Sequence, residues 1–230
     1  MSITCIVPAR NEAGHLYEVI HAVNSIETIS KIIICEGGST DGTEIEARKI
    51  AENSNGKVHF MSQSGTGKFN AVLEAAAHCD SKFIIIWDAD GTVSPSDTNK
   101  IISVALETGD AVIGNRLRGK MERGSMQWAN YVANWVFGFI WAPFINWKIV
   151  DLLCGTKIFP IQVFRNISVS LSTVDPYGDF TLVASSIRCN IKIHSVPVDY
   201  SKRKYGKTNI KRWSGGYHLL RTYLRFALRG

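Results

Sequence analysis

Short apolar, β-branched runs punctuate the first half of the chain: ITCIV at 3–7, KIIIC at 31–35, KVHF at 57–60, KFIIIW at 82–87 and DAVIG at 110–114. Between them lie stretches with helical spacing of apolar residues, near 12–26, 42–54, 68–79 and 97–108. Continuous apolar strands alternating with amphipathic helices predict an α/β fold, a mostly parallel sheet with helices on both faces. Sheets of this kind bind ligands beyond the carboxyl ends of their strands. The loops expected there, PARNE, EGGSTDGT, SQSGTGK and DADGT, each combine Gly or Pro with polar or charged residues. No repeat, low-complexity segment or linker divides residues 1–230, so a single domain is expected.

The pattern changes in the second half. No charged residue lies between Arg123 and Lys148, and that stretch holds Trp128, Trp135, Trp141 and Trp147. Its length approaches a bilayer span, but Gln127, Asn130, Asn134, Pro143 and Asn146 interrupt it. Two readings fit, a Trp-rich pair of core helices or a segment resting at a membrane surface, where Trp is favoured. Further on, YHLLRTYLRFALRG places Leu219, Leu220, Tyr223, Leu224 and Ala227 along one helical face. That basic amphipathic helix, expected over 211–230, favours interfacial membrane contact.

Charge sharpens the picture. The chain carries a formal +6, and its C-terminal stretch from residue 200 holds many Lys and Arg but no Asp or Glu, interleaved with Tyr200, Tyr205, Trp213, Tyr217 and Tyr223. A local excess of this kind suits a phosphate-bearing ligand or an anionic membrane surface, with nucleic acid not expected as a partner. Five scattered cysteines without a C-x-x-C pair suggest reduced thiols in a cytoplasmic setting. The N-terminus lacks the basic start and cleavage site of a secretion signal. The expected location is cytoplasmic, peripheral at the inner face of the membrane.

The candidate chemistry centres on IIIWDADGTVS, residues 84–94. If the segment is extended, Asp88 and Asp90 point to the same side. Paired hard oxygens there suit Mg²⁺ or Mn²⁺, which would bridge a phosphate. Read locally, the string also matches the nucleophile motif of haloacid dehalogenase-type phosphatases, with Asp88 as nucleophile. That motif normally sits on a first strand, however, and here three strand–helix units precede it. A nucleotidyltransferase on a related sheet would need a glycine-rich first loop, and PARNE is poor in glycine. GTGKF lacks the Ser or Thr that must follow a P-loop lysine, and no calcium-loop glycine follows Asp88 at the required place.

Over nearly its whole length the chain resembles the family 2 glycosyltransferases, within them the polyprenyl-phosphate sugar synthases. Seven elements carry the resemblance in order: IVPARNE (6–12), CEGGSTDGT (35–43), GTGKFNAV (65–72), DAD (88–90), GNR (114–116), DLLCGTKIF (151–159) and RKYGKTN (203–209). It implies a GT-A fold with a Rossmann-like sheet. Residues 1–115 would form the sugar-nucleotide half and 116–210 the acceptor half. The implied activity is an inverting, metal-dependent transfer from a UDP- or GDP-sugar to a polyprenyl phosphate or a glycan precursor. By carry-over, Pro8, Arg10, Glu12, Glu36, Lys68, Asp88, Ala89 and Arg116 would line the nucleotide sugar. Asp90, with Asp88, would hold Mg²⁺ or Mn²⁺. Asp151 and Asp179 would be candidate bases, and Arg203, Lys207 and Thr208 would hold the acceptor or its phosphate. The chain departs from the family pattern at Glu36-Gly37, where two aspartates are usual, and at Phe69, where glycine is usual.

Overall fold

The computed structural model describes residues 2–146, 148–149, 151–167, 175–203 and 212–229. Side chains of 212–214 and 229 are not among them. Lys207 and Thr208 lie outside the described residues.

The alternation read from the sequence is present. β1 (Ile3–Ala9), α1 (Leu16–Asn24), β2 (Lys31–Glu36), α2 (Thr43–Glu52), β3 (Val58–Ser62), α3 (Lys68–Ala77), β4 (Phe83–Ile86), α4 (Pro95–Thr108) and β5 (Ala111–Asn115) follow one another. The second half adds α5 (Trp128–Trp141), β6 (Lys157–Pro160), α6 (Ile161–Arg165), α7 (Asp179–Arg188), β7 (Ile193–Pro197) and α8 (Arg212–Arg229).

The described strands form one sheet in the order β3-β2-β1-β4-β6-β5-β7. β1, β2, β3 and β4 pair in parallel, as do β5 and β7. β6 runs antiparallel to both of its neighbours, β4 and β5. The strands inside the sheet are buried on both faces, which explains the unbroken apolar runs. Ile3, Cys5, Ile6 and Val7 of β1 and Phe83, Ile84 and Ile85 of β4 are fully buried, each large apolar side chain contributing about 1.5–3 kcal/mol. α1 covers the sheet through Leu16, Val19, Ile20 and Val23, a helical stripe with three- and four-residue steps.

Helix boundaries follow local chemistry. Ser94 caps α4 by accepting the Asp97 N–H at 3.1 Å, Pro95 opens its first turn, and Gly109 closes it in the left-handed region.

Two expectations change. β4 ends at Ile86, and Asp88–Ala89–Asp90 turn instead of extending, with the Gly91 N–H reaching the Asp88 carbonyl at 3.3 Å. Strand alternation therefore does not orient the two carboxylates. On α8 the buried face is Gly215, Leu219, Thr222 and Phe226, so Leu220 and Leu224 are exposed. Thr222 can be buried because its hydroxyl donates to the His218 carbonyl at 2.9 Å.

β2 and β3 lie on one side of β1 and β4 on the other. Successive connections thus part at the β1/β4 boundary, and the crevice beyond those strand ends is where such folds hold ligands.

Candidate functional site

The loop after β1 is set by hydrogen bonds to the loop after β2. Asn11, with φ +56, donates its N–H to Ser39 Oγ at 2.9 Å and accepts the Thr40 N–H at 2.9 Å on its side-chain oxygen. Thr43 Oγ1 accepts the Glu12 N–H at 2.8 Å and donates to Asp41 at 2.6 Å. Glu46 takes the N–H groups of Gly14 and Tyr17. This mesh buries Glu12 beside His15, 2.7 Å away. Burial pushes the Glu12 carboxyl up, opposed by Arg203 and His15.

The loop after β4 delivers the paired aspartates. Asp88 pairs with Lys68, the first residue of α3. Burial opposes ionisation of Asp88, but the Lys68 ammonium, aided by Lys157 and Arg116, holds its carboxyl below the usual range. Lys68 is held up in turn: Asp88 and Asp179 outweigh the effect of its burial. Asp90 accepts from the Thr92 N–H at 3.2 Å and hydroxyl at 2.9 Å, while its other oxygen meets Arg203 Nη2 at 2.9 Å. Arg203 also lies 3.9 Å from Glu12.

β6 and the loops around it supply the far wall. Gly155 packs on Asp88, and a Cβ there would fall 1.8 Å from Asp88 Oδ2. Lys157, almost wholly buried on β6, donates to the Leu152 carbonyl at 3.2 Å and pairs with Asp179 at the start of α7. Asp151 is fully buried and chelates Arg116 with both oxygens, at 2.8 Å from Nε and 2.8 Å from Nη2, and takes the Arg116 N–H at 2.9 Å. The Arg116 guanidinium sits 5.0 Å from the Tyr200 ring centroid.

Glu12, Lys68, Asp88, Asp90, Arg116, Asp151, Asp179 and Arg203 are thereby linked in one network of alternating charge. Ala89 is buried between its two aspartates. Pro8, Arg10 and Glu36 stand apart from this network, at the mouth of β1 and β2. Arg10 is exposed there, while Glu36 is buried and accepts the Ser39 N–H.

The expectations missed Gly155, Lys157 and Asp175. The first two stand in the DLLCGTK string, whose glycine and lysine were the available signal. Asp175 is fully buried and accepts the N–H groups of Tyr177, Gly178, Phe180 and Thr181 and the Thr181 hydroxyl. Burial and the nearby Asp179 push its carboxyl up. Nothing in its local sequence marks it beyond the acid itself.

Asp88 and Asp90 offer the hard carboxylate oxygens a divalent cation takes. Among the described residues, no group of three or more His, Cys, Asp or Glu could hold an ion by itself. Mg²⁺ is commonly held by one or two carboxylates together with substrate phosphates, so this donor set fits an ion arriving with a diphosphate. Lys68 and Arg203 neutralise the same carboxylates.

Comparison with known proteins agrees in outline. The model of the family described as "Glycosyl transferase family 2" matches residues 4–168. Glycosyltransferase AglJ of Haloferax volcanii is 31% identical over 230 residues, covering 97% of this chain and 72% of that protein. Polyprenol monophosphomannose synthase of Mycolicibacterium smegmatis is 23% identical over 208 residues, covering 87% and 78%. Among solved structures, glucosyl-3-phosphoglycerate synthase from Mycobacterium tuberculosis, in complex with Mn²⁺, UDP-glucose and phosphoglyceric acid, superposes with a TM-score of 0.73 at 16% identity, covering 98% of this chain and 79% of that one. The phosphatase reading with Asp88 as nucleophile and the nucleotidyltransferase reading are overturned, because the family match spans Asp88 together with the strand–helix units that precede it.

Proposed function

The chain belongs to glycosyl transferase family 2, and from that membership we propose that it moves a sugar from a nucleoside diphosphate to a phosphate-bearing lipid acceptor. The observation that carries this reading is the pair of aspartates at the β1/β4 crevice, each already matched to a cation, Lys68 or Arg203. A diphosphate with a divalent ion exchanges partners within such a site and leaves no charge unpaired.

In this mechanism Asp90, with Asp88, would hold Mg²⁺ or Mn²⁺. When bound, the ion supplies Lewis-acid neutralisation of the diphosphate leaving group. Lys68 and Arg203 orient phosphate oxygens, and Pro8, Arg10 and Glu36 line the side where the base would enter. Asp179 is the better placed of the two candidate bases, since Asp151 commits both oxygens to Arg116. For a hydroxyl acceptor, Asp179 would take the proton as the oxygen attacks C1. A phosphate acceptor is already anionic and needs orientation alone, a task that falls to Arg203 with Lys207 and Thr208.

The test is a thermal-shift screen of UDP- and GDP-sugars with and without Mn²⁺. A true donor at a hundredfold excess over Kd should raise Tm by about 5–10 °C, more with metal than without. A flat response to every nucleotide sugar would sink the proposal.

The lipid part of the reading rests on a second surface. Among the described residues no helix is long and apolar enough to cross a membrane. α5 nevertheless exposes Trp128, Trp135 and Phe139, and α8 exposes Leu220, Leu224 and Leu228. The two helices meet where Trp141 and Phe144 pack on Tyr223 and Phe226. Arg221 is exposed on α8, so this apolar surface is paired with positive charge and suits an anionic lipid headgroup layer. Co-sedimentation should be strong with phosphatidylglycerol-containing vesicles and weak with phosphatidylcholine alone. Changing Trp135, Phe139 and Leu224 to serine should abolish it. Equal recovery of wild type and triple variant in the pellet would remove membrane contact from the reading.

A further inference from the structure

The first turn of α3 and the segment entering α7 are fastened to each other at two points. The Phe69 N–H donates to the Pro176 carbonyl at 3.1 Å. The Phe69 ring, buried, lies on the bare α-carbon of Gly178, where a Cβ would come within 2.0 Å of ring Cδ2 and 2.4 Å of Cγ. Gly178 also has φ +81, the left-handed region that other residues enter at a cost. Ring and glycine therefore require each other: a smaller side chain at 69 leaves a void, and a larger one at 178 strikes the ring.

Each half of this contact adjoins a charged residue of the site. Lys68 precedes Phe69 and pairs with Asp88, while Asp179 follows Gly178 and pairs with Lys157. Asp175 holds the same segment rigid by accepting four backbone N–H groups. We propose that the Phe69–Gly178 contact is a positioning device for transfer to a hydroxyl or to water, setting the distance between Lys68 at the diphosphate and Asp179, which takes the proton of the attacking group. The inference rests on the transferase reading of the site. It predicts control of turnover and not of donor affinity. Asp88 and Asp90 follow β4 and Arg203 follows β7, so much of the donor's binding charge stands on elements outside the contact. If the contact shifts, the spacing of Lys68 and Asp179 changes, each pulling against its own partner, Asp88 or Lys157.

The experiment uses UDP-glucose and GDP-mannose with Mn²⁺ as probes, with Kd from calorimetry and turnover from release of the nucleoside diphosphate, water serving as acceptor. Gly178→Ala should lower turnover by about 100-fold, the loss typical of a misplacement near 1 Å. Its Kd should stay within about threefold of wild type, the pattern of a lost transition-state interaction. Adding Phe69→Ala relieves the clash but not the left-handed strain of alanine at 178. The double variant should therefore be at least about threefold faster than Gly178→Ala, because the two positions couple through one contact. A double variant as slow as Gly178→Ala, or a Kd that weakens in step with turnover, overturns the inference. Should Gly178→Ala fail to fold, Phe69→Leu decides alone: reduced turnover at unchanged Kd supports the device, and wild-type turnover overturns it. A wild-type protein that binds neither these probes nor any other UDP- or GDP-sugar overturns the transferase reading itself, whereas binding without the coupling overturns only the positioning role.

Discussion

Asp90→Ala is expected to lower sugar transfer by about 10²–10³-fold, the range seen when one preorganised group facing developing charge is removed. One Asp90 oxygen is held by Thr92 and the other faces Arg203 across the crevice, so the carboxylate is fixed before any ligand arrives. Alanine removes the oxygen that would hold the cation and also releases Arg203 from its nearer carboxylate, leaving Glu12 at 3.9 Å. The variant should need a higher Mn²⁺ concentration for half-maximal thermal stabilisation by its donor. Release of nucleoside diphosphate against metal concentration measures both effects. Activity within tenfold of wild type, with an unchanged metal response, would remove Asp90 from the proposed metal site.

The second large effect concerns folding. Asp151→Ala should destabilise the protein by about 3–5 kcal/mol, since it strands the largely buried Arg116 guanidinium without its counter-charge. For a chain of this size that is a fall in Tm of roughly 6–20 °C. Burial lowers and Asp151 strongly raises the affinity of Arg116 for its proton, the net being an arginine that stays charged. It cannot escape the penalty by neutralising. A compensating pair, Asp151→Leu with Arg116→Met, should recover most of the stability, because apolar replacement of a buried ion pair is often neutral. Calorimetry decides between roles. A fall in Tm identifies Asp151 as a strut for Arg116, and lost turnover at unchanged Tm would make it the base instead.

The sequence made the first half of the sheet legible because β1, β2 and β4 are buried on both faces and so read as apolar runs. β6 and β7 were not legible. KIFP has four residues and a buried lysine, and IHSVP is half polar and only partly covered, so neither shows an alternation or a run long enough to stand out. Lys157 is a case in point: its charge argues for solvent, and its burial is made tolerable by Asp179, arriving from a distant part of the chain, together with the Leu152 carbonyl. The turn at Asp88–Asp90 was hidden for a related reason, since the strand's end is set by where β6 stops pairing with it. On α8, apolar residues occupy more than one face, and periodicity alone could not tell the face on Trp141 from the face left exposed. The ordered motifs located most of the charged network, but which cation meets which carboxylate depends on loops brought together from distant parts of the chain.

The reversed strand β6 has a consequence for synthesis. Ile84 and Ile85 of β4 pair with Phe159 and Ile158, and Val112 of β5 pairs with Ile158 from the other side. While the protein is being made, β4 and β5 leave the ribosome long before the strand that joins them. Until residues 157–160 emerge, β4 presents an unpaired apolar edge, the kind of surface that recruits chaperones or other nascent chains. The same closure that completes the sheet brings Gly155 and Lys157 to the aspartates, so the half-made chain has neither a finished edge nor a finished site.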